Sequence, residues 1–147
     1  METAELLGQI PLFKLLGATE RADLELALER RQFLTGEKVF TLGEPGESLY
    51  IVGTGSVELF VKDSTGSKIV LTDCRAGEIF GELSLFDGGA RTASAVCLEP
   101  SELLILGRDD LLTFLRRHPD ASLDLLSTMG QRIRSTDEIL RRRAARN

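Results

Sequence analysis

The 147-residue sequence predicts a mainly β protein with flanking helices: an antiparallel β jelly-roll barrel, with helices before it and helices closing its far end. Three observations carry that reading. Apolar residues are spaced as in helices up to residue 30, alternate as in strands from Arg31 to Leu106, and return to helical spacing from Arg108. Glycine-centred turns punctuate the middle stretch at short intervals. No repeat, low-complexity run or linker divides the chain, so residues 1–147 read as a single domain.

The elements follow in order. Within residues 1–30, Leu6, Leu7 and Ile10 share a helical face, Pro11 interrupts it, and Thr19 is placed to cap a second helix carrying Leu24 and Leu28. Residues 31–106 form the barrel. There Val57, Leu59 and Val61 alternate with Ser56, Glu58 and Lys62, the period of a half-buried strand. Gly36-Glu37, Gly43-Glu44-Pro45-Gly46, Gly53-Thr54-Gly55 and Ser64-Thr65-Gly66 supply its turns. Residues 107–147 are helical again: Asp109 and Asp110 suit the positive end of a helix dipole, and Pro119 suits the start of a further helix. Along that last helix Leu126, Ile133 and Leu140 recur every seven residues, with Met129 and Thr136 at the second seam position. The stripe predicts a homodimer through the C-terminal helix; packing against its own barrel is the alternative.

Composition bounds the function. With 42% hydrophobic and 28% charged residues the chain is an ordinary soluble protein, and it holds neither a membrane span nor an export leader, which predicts a cytoplasmic location. Cys74 and Cys97 lie in apolar strand-like segments and read as reduced core thiols. A net charge of −5 argues against nucleic-acid binding by the domain as a whole, and Arg132, Arg134, Arg141, Arg142, Arg143 and Arg146 read as a solvated helix face. His118 is the only histidine, so a metal site of the multi-histidine kind cannot be built, and no serine sits on a nucleophile elbow for a triad; the chain reads as no enzyme.

The chemistry concentrates between Phe80 and Val96. An apolar turn of Leu83, Leu85 and Phe86 is followed by Gly88-Gly89, then Arg91 and a strand in which Thr92, Ser94 and Val96 alternate with Ala93 and Ala95. A short helix opening near Gly81 would offer backbone N–H groups to an anion; Arg91 adds a fork of donors and Thr92 a hydroxyl. Glu82 would repel phosphate, yet it suits a ligand that also presents hydroxyl donors, as a ribose does. An anion and a diol on one small ligand point to a nucleotide. Each residue also has a plainer use, since Arg91 and Glu82 could pair with each other and Gly88-Gly89 could be only a turn.

This segment resembles the phosphate-binding cassette of the cyclic-nucleotide-binding domains of catabolite-activator-type regulators, cyclic-nucleotide-dependent kinases and cyclic-nucleotide-gated channels. Gly81, Glu82, Leu83, Arg91, Thr92 and Ala93 carry the match. Ile10-Pro11-Leu12-Phe13, Gly43 to Val52, Gly55 and Ser101 to Leu106 extend it over nearly the whole chain. The resemblance implies cAMP or cGMP as ligand. Glu82 would accept the ribose 2′-hydroxyl, the N–H groups of Gly81 and Leu83 would help define the pocket, and Arg91 would pair with the cyclic phosphate. Thr92 would add a hydroxyl contact and Ala93 a backbone one. Thr136 takes the place of a threonine that reaches the adenine amino group in the catabolite activator, whereas a threonine at the place of Thr92 is seen in members that prefer cGMP; cAMP is expected over cGMP because Thr136 is the polar residue in the apolar seam. The resemblance also implies that ligand draws the cassette and last helix together. Asp137 departs from a serine supplied across the dimer, and Ala90 from a common proline, which implies a looser turn. The chain stops at Asn147 without a helix-turn-helix domain, so no direct DNA reading is expected of it. A nucleotide-free dimerisation module of the same fold is the alternative function.

Overall fold

The computed structural model describes residues 3–128. The chain enters through α1 (Thr3–Gln9), a 3-10 turn at Pro11–Phe13 and α2 (Ala18–Leu26). Eight strands follow: β1 (Glu29–Phe33), β2 (Lys38–Phe40), β3 (Ser48–Thr54), β4 (Ser56–Lys62), β5 (Lys68–Arg75), β6 (Ile79–Phe80), β7 (Ser94–Cys97) and β8 (Ser101–Gly107). Between β6 and β7 lies the short helix α3 (Glu82–Asp87), and after β8 comes α4 (Arg108–Arg117). Residues 119–128 are helical and form the described part of α5. No described helix is long and apolar enough to cross a membrane.

The strands form two four-stranded sheets, ordered β1-β8-β3-β6 and β2-β7-β4-β5, and every pairing is antiparallel. Packed face to face, they make the expected β-roll. β3 and β8 are buried on both faces, which explains their unbroken apolar runs Leu49–Val52 and Leu103–Leu106. Leu49, Ile51, Leu104 and Leu106 pack in one core with Leu7, Ile10, Phe13 and Leu24 of the N-terminal helices and Leu111, Phe114, Ala121 and Leu125 of α4 and α5. Tyr50, Val52, Leu103 and Ile105 face the barrel interior with Phe40, Val57, Cys74, Phe80, Ala95 and Cys97. Both cysteines are free and buried there, as the sequence predicts.

Two local expectations need correction. Thr19 is not a cap: α2 begins at Ala18 with Gly17 as its N-cap, because Glu20 Oε1 accepts the Gly17 N–H at 3.0 Å and fixes the start earlier. The alternation on β4 holds at Val57, but Phe60 is also buried while Val61 is only partly so. Lys68 Nζ sits 4.7 Å from the Phe60 ring centroid and covers it, so this ring finds shelter under a cation rather than in the core. The seam residues Met129, Ile133, Thr136 and Leu140, and the arginine-rich end, lie outside the described residues. Leu126, the seam residue within them, is 68% exposed.

Candidate functional site

α3 is a six-residue helix between two glycines in the left-handed region, Gly81 (φ 77°) at its start and Gly88 (φ 70°) at its end. Gly81 is needed for room as well, since a Cβ there would lie 2.7 Å from Arg91 Nη1. On its buried side Leu85 packs into the helical core, so the segment is anchored to the layer that holds α4 and α5. The return loop is pinned to the β2–β3 turn. Gly43 N–H donates to Arg91 O at 2.9 Å, Arg91 N–H donates to Glu44 O at 2.8 Å, and Ala90 forms an isolated antiparallel bridge with Pro45. Ser84 Oγ donates to Ala90 O at 3.3 Å across the same loop.

This frame fixes Arg91. Only 6% of the residue is exposed. Its Nη1 donates to Gly81 O at 3.0 Å and its Nη2 to Ser48 Oγ at 3.3 Å, while Nε is buried and finds no partner among the described residues. Glu82 does not pair with it. Burial pulls the guanidinium below the usual arginine value, with Tyr50 and the Glu44 carboxylate pulling the other way. An arginine nevertheless stays charged in a protein, so a cation is held here with a donor to spare.

The guanidinium borders a cavity of about 350 Å³, a size suited to a small ligand. Phe40 and Phe80 line it beside Gly81, Glu82, Leu83 and Ser84, and Arg91, Thr92 and Ala93 complete that side. Every expected site residue within the described range is therefore gathered around one cavity. Thr136 lies outside the described residues. Leu83 is 54% exposed and stands at the mouth with its apolar side chain open to solvent. No group of three or more metal-ligating side chains occurs among the described residues.

The wall formed by Leu59, Leu71, Thr72 and Cys74 escaped the sequence reading. Its cause is a register shift: Leu59 pairs with Thr72 but Phe60 with Val70, leaving Leu71 as an extra residue in β5. The bulge lets two consecutive residues, Leu71 and Thr72, line the same cavity. Strict alternation would have offered one of them. Burial pushes the Cys74 thiol up to about 11, so it sits there as a neutral, weakly polar surface.

The sequence matches the family described as cyclic nucleotide-binding domain over residues 30–118. It is 41% identical over 128 residues to the cyclic AMP receptor protein of Thermus thermophilus, covering 86% of this chain and 59% of that protein. It is 33% identical over 136 residues to a CRP-like cAMP-activated global transcriptional regulator of Mycobacterium tuberculosis, covering 92% of this chain and 61% of the relative. The chain thus spans about three fifths of the length of these curated relatives. Among solved structures, the N-terminal domain of a Streptomyces coelicolor transcriptional regulator superposes with a TM-score of 0.86 at 34% identity, covering 92% of this chain and 94% of that one. The Thermus thermophilus catabolite activator protein gives 0.80 at 37% identity, with 91% and 63% covered.

Proposed function

The chain belongs to the cyclic nucleotide-binding domain family, and on that premise we propose that residues 1–147 act as one regulatory sensor that binds cAMP in preference to cGMP and repositions its C-terminal helix in response. The observation that carries this reading is Arg91, a buried guanidinium at a nucleotide-sized cavity, bonded to neutral groups and with no partner for its Nε among the described residues. A cyclic phosphate supplies the missing charge and acceptors. Glu82 accepts the ribose 2′-hydroxyl, the N–H groups of Gly81 and Leu83 border the ligand, Thr92 contributes its hydroxyl and Ala93 its backbone. The base extends toward Leu59, Leu71 and Thr72, and Thr136 reaches its amino edge. Two relatives are named for cAMP, which favours that ligand.

The switch rests on Leu85. That side chain shares a core with Leu111, Phe114 and Leu125, so a ligand that pulls α3 inward shifts the contacts on which α4 and α5 sit. Nucleotide can drive this only by the difference in its affinity for the two arrangements. The chain performs no catalysis, requires no metal, resides in the cytoplasm, and dimerises through the heptad stripe that begins at the exposed Leu126. A calorimetric titration with cAMP tests the reading. Saturable binding that Arg91→Ala weakens at least about tenfold is expected; a chain that binds neither cyclic nucleotide would instead be a dimerisation module of the same fold.

A further inference from the structure

A buried cation is ordinarily partnered by a carboxylate, because removing it from water without compensation is costly. Arg91 is an exception. No carboxylate whose side chain is described lies within ion-pair distance of it. What lies there instead is aromatic. The guanidinium carbon stands 4.3 Å from the centroid of the Phe40 ring and 5.6 Å from that of Tyr50. Those rings are themselves held. Tyr50 stacks on Phe80 at 5.2 Å with 12° between planes, and Phe40 is tilted against both at 5.7 and 5.8 Å. The three rings come from β2, β3 and β6, so the cradle exists only once both sheets have formed.

We propose that Phe40 is a positioning residue for anion binding: its ring face, backed by Tyr50 and Phe80, holds the Arg91 guanidinium charged and aimed while the pocket is empty. The inference rests on the reading of Arg91 as the phosphate site and adds how that site is kept ready. A ring face attracts a cation through its quadrupole but carries no net charge. An incoming phosphate therefore neither breaks an ion pair to reach Arg91 nor meets a like charge behind it. A guanidinium held over the ring and bonded to Gly81 O and Ser48 Oγ also has its fork direction limited before the ligand arrives, which lowers the cost of ordering it on binding. Ser48 Oγ and Gly81 O, both neutral acceptors, finish the same arrangement.

Packing alone would also explain a phenylalanine at position 40, and the test separates the two. Phenylalanines carrying one, two or three ring fluorines, placed at position 40 of the full chain, drain the ring face of electron density while nearly preserving its shape. A stepwise fall in cAMP affinity is expected, reaching about tenfold at three fluorines. The melting temperature should hardly move, and the same series at Phe13, in the helical core, should leave affinity flat. Affinity independent of fluorine number, in a protein whose binding Arg91→Ala still weakens, would overturn the cradle and leave the phosphate site standing. Unchanged binding in Arg91→Ala would overturn both. Should fluorination impair folding, Phe40→Leu and Arg91→Ala in a double-mutant cycle read the same coupling: losses that fail to add support the cradle, and additive losses overturn it.

Discussion

Gly46 is closed over Arg91: a Cβ on Gly46 would lie 2.8 Å from Arg91 Nε and 2.6 Å from Ser84 Oγ. The glycine comes from the β2–β3 turn, and the two atoms it would strike belong to α3 and the loop behind it. Its absent side chain is thus part of the cavity's construction. Gly46→Ala should push the guanidinium and the start of α3 apart. Overpacking of this kind costs about 1–3 kcal/mol. A fall in cAMP affinity of at least about fivefold is expected, with a lowered melting temperature. Gly36→Ala is the comparison, because a Cβ at Gly36 meets nothing within 4 Å and its penalty is confined to its φ of 80°. If Gly36→Ala weakens cAMP binding as much as Gly46→Ala does, the close approach is not what matters.

In the proposed site Arg91 and Glu82 divide the ligand between them, and the division can be measured. Losing a hydrogen bond to a charged group costs roughly 1.5–3 kcal/mol, so Arg91→Ala should weaken cAMP binding by at least about tenfold. Glu82 stands at the first turn of α3 and lines the cavity, and the proposed site gives it the sugar rather than the phosphate. Glu82→Ala should therefore cost less than Arg91→Ala, and its effect should shrink when 2′-deoxy-cAMP replaces cAMP. An equal loss for both ligands would remove Glu82 from the ribose.

How much of this was legible in the sequence depends on how far apart the pieces lie along the chain. Gly81, Glu82, Leu83, Arg91, Thr92 and Ala93 fall within a short stretch, and their residue types state anion and hydroxyl chemistry directly. Phe40, Ser48 and Gly46 reach Arg91 only because strands from both sheets converge on it, which no local pattern announces. Thr72 and Leu71 were hidden by the bulge opposite Leu59 and Phe60, where period-two reading gives the wrong number of pocket residues. Thr19 failed as a cap for a simpler reason: a glutamate three residues beyond Gly17 can set a helix start without a hydroxyl at the cap itself.

Cys74 gives a pH signature of the folded barrel. A free thiol titrates at about 8.5, whereas burial holds that of Cys74 near 11. The folded state therefore keeps a proton that the unfolded chain has already released. This contribution to stability is whole below about pH 8.5 and is lost as pH rises toward 11. Cys97 is shifted the same way, also by burial. Urea unfolding at about pH 8 and about pH 10.5 should show the parent losing more stability than Cys74→Val over that interval. Parallel losses would mean that the thiol reaches water in the folded state.

Leu126 points its side chain into solvent on the described part of α5, while Ala121 and Leu125 are buried in the helical core. The helix thus spends one face on its own barrel and leaves the face that opens the heptad series free. Ile133 continues that series. Ile133→Asp would place a charge in the proposed dimer seam and should yield a monomer with unchanged far-ultraviolet circular dichroism. Sedimentation decides the matter: a mass unaltered by the substitution would place the stripe within one subunit.

Base choice is argued from two hydroxyls. Thr92 is exposed at the cavity beside Arg91, where the proposed site gives it the phosphate. Thr136 belongs to the stretch beyond the described residues and is the polar member of an otherwise apolar series of Leu126, Met129, Ile133 and Leu140. A hydroxyl donates and accepts, so neither residue by its type rejects adenine or guanine. The seam makes the difference. A threonine buried there without a partner would cost about 1–3 kcal/mol, and an adenine amino group reaching it would remove that cost. Guanine presents a carbonyl where adenine has that amino group, and in the proposed site Thr92 is given to the phosphate. cAMP should therefore bind more tightly than cGMP, and Thr136→Ala should narrow the gap chiefly by weakening cAMP. Competition titrations of both nucleotides on the parent and on Thr136→Ala measure this directly. A parent that prefers cGMP, or a variant with the parent's ratio, would take base recognition away from Thr136 and leave it to the wall of Leu71 and Thr72.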